Sequence, residues 1–215
     1  APPETEIPTS FGRTYRGDAS AQQIFGQVLT EISRSHPALR ERLVTTSPDV
    51  ASSTNLGGWI NRVGIYGKSA QETVPEESEA RSLQWVESDQ GQHIELGISE
   101  NNLFTCLGQL GLTFEMTGEL LFPIGTVYDP FVRRGLDAFM VSVYSGARFI
   151  VVGTPSGVTL GPEGGSHQSV ITPSIGIGLP DLAYYEPCFG QELEWILLSA
   201  LDKVRLRKES AYLRL

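Results

Sequence analysis

The sequence is poor in the residues that build metal centres, disulfide frameworks and membrane spans. It contains two cysteines and three histidines, and none of them has the spacing of a metal site. No apolar run approaches the roughly 20 residues that cross a bilayer. Basic residues are also few, since 16 Lys and Arg stand against 25 Asp and Glu. The net charge of −9 argues against nucleic acid and anionic membranes as partners.

What is present is typical of a globular protein. Hydrophobic residues make up 40% of the 215 residues and charged residues 19%, which is enough for one sizeable core. The first residues, Ala-Pro-Pro-Glu-Thr-Glu, have neither the basic nor the apolar region of a signal peptide. Cys106 falls within an apolar helical pattern, which favours a packed thiol. We therefore expect a cytoplasmic protein in a reducing compartment.

Changes of composition divide the chain into three parts. Residues 1–16 are rich in Pro and Thr and predict a linker or lead-in arm. Residues 17–204 predict one folded domain, which begins near Asp18 and Ser20, with Ser20 and Gln23 spaced as a capping box. Within it, residues 67–82 are acidic and lack periodicity, so we expect an exposed excursion. Residues 205–215 predict a charged connector and the start of a following C-terminal domain.

Strand and helix patterns alternate along the domain. Short β-type runs are predicted at 43–46, 92–96, 120–124, 147–152 and 182–185, with amphipathic helices between most of them. The run at 147–152 is apolar without alternation, as in a parallel sheet that is covered on both faces. This alternation predicts an α/β fold: a three-layer α/β/α domain with a mostly parallel sheet of about five or six strands.

Glu100 stands at a strand-to-helix junction. The strand pattern ends at Leu96, Gly97 follows, and Ser99 can cap a helix that has Glu100 in its first turn. A carboxylate there is stabilised by the helix dipole, which is the ordinary interpretation. Ligands of open α/β sheets also bind at such junctions, so a binding role is the alternative.

Four more side chains lie after predicted strands. Asp49 follows the first strand in a Ser-Pro-Asp-Val turn, where aspartate is common. Tyr128 and Phe131 are three residues apart at a helix start and are compatible with core packing. His167 follows a loop of about a dozen Gly- and Pro-rich residues, and loops of that length in a compact domain are usually functional. A lone loop histidine is nevertheless most often solvated.

Two of these segments carry a family resemblance. The run Gly97-Ile98-Ser99-Glu100-Asn101 resembles the G-I-x-E turn in the pyrimidine-binding domain of thiamine-diphosphate enzymes of the transketolase superfamily, closest to the homodimeric-type first component of pyruvate dehydrogenase. The run from Glu163 to Gln168 resembles the D-G-x-x-H-Q loop of transketolases and the histidine-bearing loop of pyruvate dehydrogenase. Glu163 replaces the aspartate, and further histidines of the homodimeric enzymes are missing upstream, which leaves the substrate open.

The resemblance implies a role for each site residue. Glu100 is expected to hydrogen-bond the aminopyrimidine ring of thiamine diphosphate and to be catalytic. Asp49 is expected near the cofactor, and Tyr128 and Phe131 along its pyrimidine ring, with Phe131 stacked on it. His167 is expected to donate a proton or to bind the substrate.

The resemblance also implies partners. The family's diphosphate-and-magnesium motif, G-D-G followed by a distant asparagine, is absent, because Gly17-Asp18 lacks the final glycine. We therefore expect a separate diphosphate-binding domain that holds magnesium, a homodimer, and a lipoyl-bearing acyltransferase that accepts the product of 2-oxo acid decarboxylation. The isolated chain should be inactive. The alternatives are transketolase-type ketol transfer and a non-catalytic dimerisation domain that retains the fold.

Overall fold

A single parallel sheet organises the molecule. The computed structural model describes residues 5–68 and 83–215, and within them eight strands pair in parallel in the order β3-β2-β4-β1-β5-β6-β8-β7. The strands are β1 Leu43–Ser47, β2 Ile65–Tyr66, β3 Glu87–Ser88, β4 His93–Glu95, β5 Phe122–Val127, β6 Ile150–Gly153, β7 Leu182–Tyr185 and β8 Ser210–Arg214. The parallel α/β prediction is confirmed. The expected count of five or six strands is wrong, because β2 and β3 have two residues each, too few for a sequence pattern.

Helices connect the strands and cover both faces of the sheet. They are α1 Ala21–Ser35, α2 Pro37–Arg40, α3 Gly57–Val63, α4 Glu100–Gly111, α5 Thr113–Thr117, α6 Leu136–Tyr144, α7 Thr172–Gly178 and α8 Gly190–Arg205. The capping box predicted from Ser20 and Gln23 is present, since the Ser20 hydroxyl accepts from the Gln23 amide and the Gln23 side chain accepts from the Ser20 amide. Three short 3-10 segments occupy Asp129–Gly135, Gly157–Glu163 and Gly165–His167.

Alternate residues of the central strands serve two cores. On β6, Ile150 and Val152 join a core with α1, α3 and α8, whereas Val151 joins a second core with α4 and α6. This division follows from the period of two along a strand, which sends successive side chains to opposite faces of the sheet. The two cores on opposite faces make the predicted three layers.

The C-terminal residues complete this sheet. β8 lies between β6 and β7, with Val151 and Tyr184 both in register with Tyr212. Tyr212 is fully buried. The prediction that 205–215 leads into a following domain is therefore wrong for this strand. The short, mostly apolar run Ala-Tyr-Leu-Arg-Leu at the end of a charged connector resembles the start of a new unit, and only its long-range pairing shows that it belongs to this sheet.

The lead-in segment packs onto the domain through a buried carboxylate. Residues 5–20 contain no helix or strand, but Glu194 of α8 is fully buried beneath them. Its oxygens accept hydrogen bonds from the Ser10 hydroxyl (2.8 Å), the Phe11 amide (2.9 Å) and the Tyr15 hydroxyl (2.6 Å). Burial, together with the charge of Glu194, raises the pKa of Tyr15, so the phenol remains a donor.

Two further expectations concern the periphery. The excursion expected at 67–82 lies, apart from Gly67 and Lys68, outside the described residues. In the part of the chain that is described, no helix has the length and apolar character to span a bilayer.

Candidate functional site

The strand-end residues share one edge of the sheet. All eight described strands are parallel, so their carboxyl ends meet at the same side. Glu100 follows β4, Tyr128 and Phe131 follow β5, and His167 follows β6 through a long loop. In open α/β sheets this edge is where ligands bind.

Glu100 opens helix α4 and is largely buried. Gly97 turns the chain out of β4 with a φ of +63°, a value that glycine adopts readily. Ser99 takes the N-cap position with extended backbone, but its side chain makes no capping hydrogen bond, which corrects the predicted side-chain cap. Glu100 is 8% exposed. The free amides of the first turn and the helix dipole stabilise a carboxylate at this position.

Arg134 links Glu100 to the aromatic cluster. Its Nη1 donates to Oε1 of Glu100 at 3.1 Å, and its guanidinium carbon lies 3.8 Å from the centroid of the Phe131 ring. No hydrogen bond from the described residues reaches Oε2 of Glu100. Sequence reasoning missed Arg134. Its only signal is its position three residues after Phe131, which places both side chains on one side of the 3-10 turn.

Tyr128, Phe131 and His167 form a ring cluster. The Phe131 and His167 centroids are 5.2 Å apart, the Tyr128 and Phe131 centroids 6.1 Å, and the Tyr128 and His167 centroids 6.3 Å. All three side chains are partly exposed, so the aromatic pair is not simply core filling. Nε2 of His167 lies 3.5 Å from Oε2 of Glu163, the residue that replaces the family's aspartate.

A pocket opens beside this cluster. Its volume is about 340 Å³, and it is lined by Pro130, Phe131, Arg133, Arg134 and Ser166. One wall is an aromatic face, and two guanidinium groups and a hydroxyl provide donors. Glu100 reaches this pocket wall through its ion pair with Arg134. The arrangement can receive a flat heterocycle that presents an acceptor or shares a proton with a carboxyl group.

Asp49 lies apart from these four residues. It has a φ of +65°, its side chain is exposed, and its backbone amide donates to Oε1 of Glu95 at 2.6 Å. Within the described residues, no hydrogen bond, ion pair or ring contact joins Asp49 to Glu100, Tyr128, Phe131 or His167. The structure therefore places Asp49 in a separate turn on the same edge of the sheet.

A buried network supports the Asp49 turn. Trp59 Nε1 donates to Thr45 Oγ1 (2.9 Å), and that hydroxyl lies 2.9 Å from Nδ1 of His93. Nε2 of His93 lies 3.4 Å from Oε2 of Glu95. With Thr45 accepting from Trp59, a proton on Nε2 satisfies both nitrogens of His93, since Thr45 donates to Nδ1 and Nε2 donates to Glu95.

Glu95 is the anionic end of this network. Burial alone raises the pKa of its carboxyl group, but hydrogen bonds from His93, the Asp49 amide and Ser47 outweigh burial and lower it. The sequence placed Glu95 in a strand without assigning it chemistry. Alternation along β4 gives His93 and Glu95 the same face, which is the only signal that joins them.

Comparisons with known proteins agree on one family. A family model described as "Pyruvate dehydrogenase E1 component middle domain" matches residues 7–215. The pyruvate dehydrogenase E1 component of Corynebacterium glutamicum is 26% identical over 199 residues, which cover 89% of this chain and 21% of that protein. That of Escherichia coli K12 is 24% identical over 175 residues, covering 80% and 20% respectively. The chain thus spans about a fifth of the length of these relatives.

Solved structures share the fold. Transketolase from Leishmania mexicana superposes with a TM-score of 0.75 at 18% identity, covering 94% of this chain and 26% of that one. Transketolase from Campylobacter jejuni gives 0.71 at 15% identity, covering 98% and 27%. At these identities the similarity establishes the fold alone, and it confirms the predicted transketolase-like architecture.

Proposed function

The chain belongs to the family of pyruvate dehydrogenase E1 component middle domains, and on that premise we propose that it forms the pyrimidine-binding half-site of a thiamine-diphosphate-dependent 2-oxo acid dehydrogenase. The observation that carries the proposal is the position of Glu100. This carboxyl group is nearly buried at the ligand-binding edge of the sheet, with one oxygen held by Arg134 and the other without a described donor.

The residues present fit an aminopyrimidine ring. The Phe131 ring offers a flat apolar face next to a pocket of about 340 Å³. Glu100 offers a nearly buried carboxyl oxygen that none of the described donors occupies, and this oxygen can accept a hydrogen bond from a proton-bearing ring nitrogen. We propose that Phe131 and Tyr128 hold the ring by stacking and contact, and that Glu100 hydrogen-bonds its ring nitrogen.

Thiamine diphosphate, when bound, would supply the nucleophilic carbon and the electron sink that decarboxylation of a 2-oxo acid requires. The residues of this chain orient the cofactor and share or transfer protons. Glu100 shares a proton with the ring nitrogen, which fixes the tautomer that the chemistry requires. Arg134 fixes the orientation of Glu100. His167 moves a proton at the reacting centre or binds the substrate, in a site where Glu163 neighbours its Nε2.

The other half of the site is proposed to lie on another domain. The sequence lacks a G-D-G…N motif for diphosphate and magnesium, so we propose that a diphosphate-binding domain of the same enzyme supplies both. We further propose a homodimer and a lipoyl-bearing acyltransferase as acceptor, in the cytoplasm. Asp49 is proposed to approach the cofactor from the β1 turn, held by Glu95.

The test uses the full-length protein with thiamine diphosphate and magnesium. Three reaction mixtures are compared: pyruvate with a lipoyl domain, a ketose phosphate with an aldose phosphate, and pyruvate with no acceptor. Release of carbon dioxide from pyruvate with acylation of the lipoyl domain supports the proposal. Transfer of a ketol group identifies the transketolase alternative. Tight dimerisation with no cofactor binding identifies the non-catalytic alternative.

A further inference from the structure

Asp129 is a buried carboxylate that the proposed chemistry does not use. It lies between Tyr128 and Phe131 in sequence, yet its side chain is turned away from the pocket and is fully buried. A buried charge is retained only where hydrogen bonds and an opposite charge compensate its lost hydration. The partners of Asp129 therefore show what it holds.

Two of its partners come from the C-terminal strand. Arg214 Nε donates to Oδ2 at 3.0 Å, and the Tyr212 hydroxyl donates to Oδ1. Burial and the charge of Asp129 raise the pKa of Tyr212, so this phenol stays protonated and donates. Gly153 leaves room for the contact, since a Cβ there would lie 2.9 Å from Oδ1 of Asp129. Both partners belong to strand β8 of the sheet, so they anchor Asp129 to the sheet.

The remaining partners belong to the loop that carries His167. At its end, the Ser169 hydroxyl and Thr172 Oγ1 (2.7 Å) both donate to Oδ2. At its start, the Pro155 carbonyl accepts from the Asp129 amide at 3.4 Å. Asp129 thus contacts both ends of the segment 154–172, the start through its backbone amide and the end through its carboxylate. His167 lies between those ends. Its ring centroid is 5.2 Å from the ring centroid of Phe131, and Phe131 follows Asp129 by two residues.

We propose that Asp129 is a positioning residue that fastens both ends of the 154–172 loop to the central sheet and so holds His167 against Phe131. The residue acts through His167 and does not touch the pocket. Its consequence for catalysis rests on the proposed function, whereas its effect on the loop does not.

The test measures hydrogen–deuterium exchange of the full-length protein without cofactor. Asp129→Asn removes the negative charge beside Arg214 and replaces one of the two acceptor oxygens shared by Ser169, Thr172, Arg214 and Tyr212, because an amide nitrogen cannot accept. Ser169→Ala removes one donor from the loop and leaves the Asp129–Arg214–Tyr212 anchor intact. Exchange across residues 157–168 should rise about fivefold in Ser169→Ala, the factor that corresponds to one net hydrogen bond, and more in Asp129→Asn.

Two matched variants control for charge and for the lost hydroxyl. Asp137→Asn removes an exposed carboxylate at the start of α6, and Ser156→Ala removes a hydroxyl that makes no cap hydrogen bond at the loop's first turn. Neither should change exchange at 157–168. Unchanged exchange in Ser169→Ala, or a rise that spreads equally over the whole sheet, would overturn the proposal. Exchange at 157–168 in Ser169→Ala tests the proposal even if Asp129→Asn does not fold.

Catalysis gives a second, separable readout. Ser169→Ala should lower kcat without changing the dissociation constant for thiamine diphosphate, while the melting temperature falls by no more than the few degrees expected for one hydrogen bond. If the wild-type protein does not bind thiamine diphosphate, the proposed function fails, while the exchange experiment still decides the role of Asp129. If exchange rises in Ser169→Ala but kcat is unchanged, the loop is fastened as proposed and its link to His167 chemistry is refuted.

Discussion

Arg134 donates a hydrogen bond from Nη1 to Oε1 of Glu100 at 3.1 Å, so the carboxyl group at the start of α4 has a fixed partner. The same guanidinium covers the ring of Phe131. One side chain therefore joins the two residues that the proposed site depends on most.

Removal of Arg134 should affect the cofactor more than the fold. Its side chain is half exposed, so Arg134→Ala should cost less than about 1 kcal/mol of stability. Without this partner Glu100 loses its fixed orientation, and the affinity of the full-length protein for thiamine diphosphate should fall up to about tenfold, or 1.4 kcal/mol. Calorimetric titration measures this. Arg62→Ala, which removes an exposed guanidinium on α3 away from this pocket, is the matched control. Tighter binding by Arg134→Ala would mean that Arg134 competes with the cofactor for Glu100.

The Glu95 network should make stability depend on pH. Because the folded-state pKa of Glu95 is lowered, its contribution is present above the ordinary glutamate pKa of about 4.3 and is lost as pH falls through the folded value. Glu95→Gln should cost about 1–3 kcal/mol near pH 7, the penalty for impaired buried hydrogen bonds. Chemical denaturation from pH 7 to pH 3 should show this difference shrinking on acidification.

An exposed glutamate controls for the change of charge in that experiment. Glu41→Gln removes a solvent-exposed carboxylate at the end of α2 and should have little effect at neutral pH. A stability difference between wild type and Glu95→Gln that grows as the pH falls would contradict the network as described.

The lead-in segment should depend on the buried Glu194. Tyr15→Phe removes the 2.6 Å hydrogen bond to this carboxylate and should cost about 1 kcal/mol. Trypsin cleavage after Arg13 or Arg16 should become faster. Tyr144→Phe, which removes a hydroxyl from a side chain that is 93% exposed, should change neither the stability nor the rate of trypsin cleavage. Equal proteolysis rates in the two variants would show that the segment is held by other contacts.

The isolated chain should bind thiamine diphosphate poorly. It lacks the diphosphate and magnesium motif, and charge-assisted contacts to phosphate should supply much of the affinity. Calorimetry on the isolated chain should therefore give no binding in the low-micromolar range, equivalent to about −8 kcal/mol. A low-micromolar dissociation constant would show that this chain holds the whole cofactor by itself.

The sequence predicted the layered parallel sheet because local patterns carry that information. The apolar run at β6 and the alternation of strands with helices need no knowledge of distant contacts. Two-residue strands such as Ile65–Tyr66 leave no such pattern, and β8 is assigned to the sheet only by its pairing with β6 and β7.

The residues of the candidate site also divide into those that a local motif reveals and those that only distant contacts reveal. Glu100 and His167 lie in recognisable local motifs, and the structure brings them to one edge as expected. Arg134 and Asp129 were missed because their roles depend on partners 34 and 85 residues away, Glu100 and Arg214. A buried carboxylate next to two aromatics cannot be distinguished by sequence pattern from an ordinary helix-start aspartate.

The proposed function depends on Glu100 sharing a proton with the cofactor's pyrimidine ring, and the variant Glu100→Gln tests this. An amide has nearly the same volume but cannot share that proton. If Glu100 only complements the helix dipole, the substitution should cost about 0.3–1 kcal/mol of stability and leave the chemistry unchanged. If Glu100 shares the proton, exchange of the thiazolium proton in the full-length Glu100→Gln protein should slow by roughly 10²–10⁴-fold, the range of general acid–base catalysis, while thermal stability stays close to wild type. An exchange rate equal to that of wild type in a folded, cofactor-bound Glu100→Gln protein would show that Glu100 does not share this proton.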